Sequence, residues 1–423
     1  FLSIASVNGD SMVVSLREAL TASSASASLG SPTAKLKAAS APSRLSIAYR
    51  WPNIAPILDF VVDDGAGGQV QNGNAVQARV ITASGTESSG SLRIIRSGVN
   101  VETLAELDLE HDSTSMWSVG AASDGSRLFI LDTSVGRKFW LLSADGQLQD
   151  LSEAFQAAGI APSDSTLAVS GLAGRPGTFV LVAQSAVYLV SIASGVASAF
   201  AHKLDGKATA AAATESGKTL VATSTLQLLL LQVTQDGSFA LTASATVSNP
   251  ISCLHVQQSS GLAAAGFWEN QTVELYRLPS LECVTPRTIK NHALPTLPTS
   301  ILLQSFDSSV TNTSHLAVGL GNGSVVIFTL SLPGANSVSG NIVVLEQKEA
   351  SIGNRPVILQ SLQQSTSINS IFACCDRPTM ISLDAERRSL LTYSAVQAKD
   401  VRAVSQLSVA DEHSSRCVAM LLP

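Results

Sequence analysis

Seven times along this chain an apolar β run ends in a turn of Gly, Ser, Asn or Asp and leads into a second β run, often into a third. The first runs are centred near Val80, Phe129, Phe179, Leu220, Leu262, Leu316 and Ile371, so successive centres lie 41 to 55 residues apart. The clearest units are RVITASGTESSGSLRIIRSG, SRLFILDTSVGRKFWLL, TFVLVAQSAVYLVSI, TLVATSTLQLLLLQV, LAAAGFWENQTVELYRL, HLAVGLGNGSVVIFTL and SIFACCDRPTMISL. A step of that length suits one small twisted antiparallel sheet, which cannot bury both faces alone but does so when copies stack around a ring. No helix-period segment of comparable length competes. The expected fold is therefore all-β: a seven-bladed β-propeller of four-stranded antiparallel blades over residues 51–423. The Gly-His and Trp-Asp signatures of ordinary WD repeats are absent, so this expectation rests on the period itself.

Two segments precede the period. Residues 1–16, FLSIASVNGDSMVVSL, place Asn8-Gly9-Asp10 between two apolar runs, a strong hairpin signal, and read as an orphan β-hairpin from the end of a preceding propeller. Residues 17–50 are rich in Ser and Ala, a composition too poor in apolar area to offset ordering entropy, and read as a flexible insertion. The chain starts at Phe1 inside an apolar run, which reads as a piece of a longer protein.

Composition narrows the function. With 26 Lys and Arg against 32 Asp and Glu, the net charge of -6 offers no footprint for a phosphate backbone, so direct nucleic-acid binding is disfavoured. The longest apolar stretches, such as 226–233, are far shorter than a bilayer span, and no membrane association is expected. Five cysteines (Cys253, Cys283, Cys374, Cys375 and Cys417) lack metal spacing and mostly sit in strand patterns, as small hydrophobes in a reducing compartment. Read that way, the sequons at Asn270, Asn312 and Asn322 carry no glycan.

An enzyme built on a central channel is the rival from another class, and its parts are missing from the pattern. His111, His202, His255, His292, His315 and His413 are scattered without ligand spacing. Gly9-Asp10-Ser11 lies in a hairpin turn, without the strand-to-helix elbow of a catalytic serine. The glycines of 65–74 lack the Gly-Lys-Ser/Thr ending of a phosphate cradle, and Asp63 and Asp64 point to opposite sides of an extended chain. Neither an enzyme nor a cofactor or metal is expected. Asp376-Arg377-Pro378 reads as a turn whose Asp accepts backbone hydrogen bonds. Arg79, Arg93 and Arg96 read as a solvated strand face.

Several units carry more than periodicity. GSLRIIRSGVNVETLAELDL at 90–109 with VITASG at 80–85, LAAAGFWENQTVELYRLPSLE at 262–282, FDSSVTNTSHLAVGLGNGSVVIFTL at 306–330 and, most specifically, SINSIFACCDRPTMIS at 367–382 resemble blades of the middle propeller of the DNA damage-binding protein 1 family. SVNGDSMVVSL resembles the end of that family's first propeller and APILDFVVDD at 55–64 the joining segment. The likeness is collinear, and weaker in the Ser/Ala stretch and in 111–220. It implies a non-catalytic adaptor of a cullin-RING ubiquitin ligase, acting in DNA-damage response and protein turnover, with the cullin as direct partner. Substrate receptors would be held only through the first and third propellers, which this chain lacks, and DNA would be reached only indirectly. The implied location is the nucleus, with a cytoplasmic pool.

Residue by residue, the resemblance puts the cullin-contacting tryptophan at Trp268 in GFWENQT, with Glu269 and Asn270 beside it as rim residues. A tryptophan packed between blades is the structural alternative. A second, acidic family contact falls on Pro250, a departure that removes a carboxylate. The same superfamily includes large subunits of splicing and of cleavage and polyadenylation complexes, which form the runner-up reading; the wording around Cys374–Thr379 favours the damage-binding branch.

Overall fold

In the computed structural model the described residues are 2–4, 11–16, 45–51, 56–63, 79–85, 90–95, 98–99, 101, 103–109 and 111–422, apart from 123, 194–195, 308–311, 334–340, 364–367, 384–390, 399 and 408–416. Among them helix is confined to Ser152–Ala157 and Arg287–Lys290; the regular structure is otherwise β. The chain forms two compact units, one of residues 1–65 with 78–96, the other of 66–77 with 97–423.

In the smaller unit, Leu2–Ile4 pairs antiparallel with Ser11–Leu16, as the hairpin pattern requires, although its Asn8-Gly9-Asp10 turn lies outside the described residues. A third strand, Leu45–Trp51, joins them. This corrects the end of the expected insertion: LSIAYRW contains the β-favouring residues Ile, Tyr and Trp and pairs, whereas 17–44 lie outside the described residues. A second sheet combines Ile57–Asp63, Arg79–Ser84 and Ser91–Ile95, with Phe60 opposite Thr82 and Thr82 opposite Arg93. The recurrence centred near Val80 falls in this sheet, within the smaller compact unit, and the other six recurrences fall within the larger one. The glycines of 65–74, Asp64 and Arg96 lie outside the described residues.

The larger unit is a succession of small antiparallel sheets. Five are four-stranded: 113–150, 166–203, 208–246, 251–283 and 298–351. The 358–396 sheet has four antiparallel strands and a fifth, Gly98–Val99, on its outer edge. Ala403–Leu407 and Cys417–Leu421 form a two-stranded sheet. Phe129, Phe179, Leu220, Leu262, Leu316 and Ile371 each lie in the second strand of their sheet, not the first. The second strand reads most strongly because it is covered on both faces; Leu262–Phe267 is buried at every residue. The opening strand Ala208–Ala213, ATAAAA, carries too little apolar bulk to stand out.

The core is not one mass but a layer between each sheet and the next. Leu128, Ile130, Phe139, Phe155, Phe179 and Leu181 fill the space between the 113–150 and 166–203 sheets, where the short helix Ser152–Ala157 inserts Phe155 against Phe139 at 3.9 Å. Val180, Val182, Val221 and Leu231 form the next layer, and Leu220, Leu230, Ala263 and Phe267 the one after. Leu275, Leu303, Leu316 and Phe328 continue the series, then Leu302, Ile327, Ile371 and Ile381. Leu362, Phe372, Cys374, Val401 and Val404 complete it against the two-stranded sheet. That sheet also meets the 113–150 sheet: the Ser118 and Ser405 hydroxyls lie 2.7 Å apart, and Arg402 Nη1 donates to Ser113 O at 2.9 Å. The close spacing shows at Gly177, held at φ +73°, where a Cβ would come within 2.7 Å of Ala121 O and 2.9 Å of Ile192 O.

Candidate protein-interaction site

Trp268 begins the turn between Leu262–Phe267 and Val273–Arg277. Small residues let the first of these strands lie close to its neighbours; a Cβ on Gly266 would sit 2.7 Å from Cys253 Sγ. Ile251 pairs with Phe267, and one step further Trp268 N–H donates to Pro250 O at 3.1 Å. Phe267 N–H donates to Thr272 O at 3.0 Å and closes the turn, with Gln271 in the left-handed region at φ +50°. Leu294 N–H, donating to Gln271 O at 3.0 Å, ties the turn to the 284–297 connection, where Leu294 itself is buried.

This backbone leaves the indole in the open: Trp268 is 53% exposed, which decides against a tryptophan packed between sheets. Glu269 and Asn270 are exposed beside it, and Pro250 is half-buried. All four residues singled out from the sequence thus meet on one surface. The structure adds Asn249, whose amide is satisfied with its nitrogen donating to Ser248 O at 3.0 Å and Glu269 Oε2 at 3.2 Å, and its oxygen accepting from Asn270 Nδ2 at 3.1 Å. Asn249 holds the Glu269 carboxylate and the Asn270 amide in place next to the indole. No motif marks it in the sequence, because its partners are some twenty positions away and only the pairing of Ile251 with Phe267 brings them together.

Several other ionisable groups are buried in the sheets. Burial pushes the Cys253 and Cys375 thiols up to about 11 and Cys374 up to about 12, so they stay protonated and inert. Cys283 is exposed. Burial pulls His255 and His315 down to about 4, which keeps both rings neutral; Leu303 N–H donates to His255 Nδ1 at 3.1 Å. Burial, with Glu274 adding to it, raises the Tyr276 hydroxyl, which donates to Glu274 Oε2 at 2.6 Å. Asp376 lies in the bend between Asn369–Cys374 and Thr379–Leu383, but its carboxylate accepts from a distant connection, from Asn354 N–H at 2.9 Å and Arg355 N–H at 3.3 Å, and not from its own turn. Arg93 lies on an exposed strand face, its Nε donating to Ser91 Oγ at 3.2 Å. Among the described residues no three of His, Cys, Asp and Glu are placed to hold a metal ion, and no helix is long and apolar enough to cross a membrane.

Small antiparallel sheets stacked through shared apolar layers are the architecture of the β-propeller class. The family described as the RSE1/DDB1/CPSF1 second beta-propeller matches residues 101–420, and the chain belongs to it. DNA damage-binding protein 1 of Solanum lycopersicum is 28% identical over 384 residues, covering 89% of this chain and 32% of that protein. DNA damage-binding protein 1a of Arabidopsis thaliana is 28% identical over 366 residues, 85% of this chain and 31% of the relative. DNA damage-binding protein 1 of Drosophila melanogaster is 27% identical over 367 residues, with 85% and 29% covered. The chain therefore spans about a third of the length of the curated relatives it matches.

Proposed function

We propose that this chain is a non-catalytic adaptor domain that docks the N-terminal helical region of a cullin through the surface around Trp268. The observation that carries the reading is the exposed indole, fixed by its backbone bond to Pro250 and flanked by an ordered Glu269 and Asn270. An aromatic anchor with a polar rim is the usual form of an interface hot spot. Glu269 provides a carboxylate on a surface where Pro250 has none, which suits a basic residue on the partner.

The scaffold proposed for that surface is a closed seven-bladed ring within residues 97–423, its seventh blade being the two-stranded 403–421 sheet that touches the 113–150 sheet. Relatives named for DNA damage-binding favour the damage-binding branch over the splicing and polyadenylation branches that the family also spans. In this reading ubiquitin transfer, receptor binding and lesion recognition belong to other parts of the assembly. DNA is reached through a receptor, in keeping with a net charge of -6, and the working location is the nucleus with a cytoplasmic pool. Titration of the chain with a cullin N-terminal helical domain tests this. Saturable one-to-one binding supports it; a folded chain that fails to bind points to the splicing or polyadenylation branch.

A further inference from the structure

The last strand of a sheet leaves a row of N–H and C=O groups open, and folded proteins blunt such an edge by keeping it short, bulging it or charging it. Among the described residues, four of the five four-stranded sheets do this. Leu148–Asp150 and Glu282–Cys283 close their sheets with three and two residues. Phe239–Thr246 is bulged at Thr242, between Leu241 opposite Leu231 and Ala243 opposite Leu230. Val343–Ser351 is bulged at Leu345 and carries Glu346, Lys348 and Glu349.

The fifth sheet uses none of these devices. Val196–Lys203, VASAFAHK, closes the 166–203 sheet with eight residues that pair with Ala186–Ala193 in unbroken register. No acidic or basic residue precedes Lys203 in it except His202. Val196 and Phe200 are 69% and 48% exposed, on the face where His202 meets Phe239 at 6.0 Å. Ala197 and Ala199, on the opposite face, pack against the layer of Phe139 and Phe179. The 358–396 sheet shows what an edge of this fold accepts: its last antiparallel strand, Leu391–Val396, takes Gly98–Val99 beside it as a parallel fifth.

We propose that Val196–Lys203 is a self-association edge, on which a second copy of this chain pairs its own Val196–Lys203 antiparallel about a twofold axis. Only an extended strand offers donors and acceptors at the spacing of such an edge, and the same strand turned about the twofold offers them in complementary order. A register centred on Ala199 sets Val196 opposite His202 and Ser198 opposite Phe200 of the second copy. On the other face alanine meets alanine, so no bulky side chain holds the backbones apart. The two Lys203 ammonium groups fall at opposite ends of the paired strands, which spares the pairing a like-charge contact. One strand pair is smaller than a standard interface, so the dimer is weak, with a dissociation constant on the order of tens of micromolar.

Sedimentation equilibrium of the intact chain from about 5 to about 300 µM tests this, since that range brackets so weak a dimer. The weight-average mass should climb from one chain towards two. Ser198→Lys combined with Phe200→Lys sets lysine against lysine across the twofold and should weaken association by about tenfold or more. Both positions are exposed, so the melting temperature of the monomer should hold. Amide exchange at the two ends of the concentration range needs no variant. The amides of Val196–Lys203 should exchange a few-fold more slowly at the high end, and those of the bulged Phe239–Thr246 at one rate throughout. A chain that stays monomeric over the whole range overturns the proposal and leaves this edge to solvent or to a strand of another protein. So does a dimer that the double variant leaves intact, or exchange in Val196–Lys203 that ignores concentration.

Discussion

His255 and His315 are neutral rings inside the sheets, His315 packed edge-on against Phe306 at 4.7 Å with Lys348 adding to its resistance to protonation. Both are lowered to about 4 from an ordinary 6.5, so between those values the unfolded chain binds protons that the folded chain refuses. Stability is then full above about pH 6.5 and is lost as the pH falls towards 4. From pH 7.5 to pH 5 each ring should cost about 2 kcal/mol, read as a lower urea midpoint, and His255→Gln with His315→Gln should flatten that pH dependence. At the candidate site, Glu269→Gln should slow association with a basic partner by a few-fold at low salt and leave dissociation nearly unchanged, measured by stopped flow at two ionic strengths; a changed dissociation rate would place Glu269 in the buried centre. Single residues were legible where one local rule governs them: Cys253 and Cys374 as small hydrophobes buried in strands, Arg93 on an exposed strand face. Asn249 was not, because its role depends on a strand pairing that no local pattern encodes.

Arg137 shows the same limit at the scale of elements. Its side chain is wholly buried, with Nε 3.5 Å from Asp132 Oδ1 and 2.7 Å from Thr166 Oγ1, and with Nη2 donating to Asp164 O. It bolts the 113–150 sheet to the 166–203 sheet, and Asp132 also accepts from Thr166 N–H at 2.6 Å. Arg137→Ala should destabilise the chain by about 3 kcal/mol by leaving Asp132 without its cation, seen as a lower urea midpoint with an unchanged slope; a cost below about 1 kcal/mol would show that solvent fills the gap. The recurrence of strong β runs marked six second strands, since strands buried on both faces are apolar throughout. It gave no sign of the alanine-rich opening strand Ala208–Ala213, nor that the run at Val80 falls in the smaller compact unit, because a period counts runs without saying which sheet each one joins. The parallel strand Gly98–Val99 was equally hidden: two residues carry no pattern.

For the molecule as a whole, period and wording pointed the same way: the spacing of stacked sheets is dictated by their size, and the family match over 101–420 covers six of the seven recurrences together with the phrase around Cys374–Thr379. The chain covers about a third of the length of the relatives it matches, and the function proposed for it is confined to one surface. The central claim is that this surface is built around Trp268. Calorimetric titration of the chain and of Trp268→Ala with a cullin N-terminal helical domain tests it most directly. The account predicts that the variant melts like the parent, since the indole is half in solvent, and binds more weakly by about 2 kcal/mol or more. Binding by Trp268→Ala at parental affinity would contradict it and move the docking surface elsewhere.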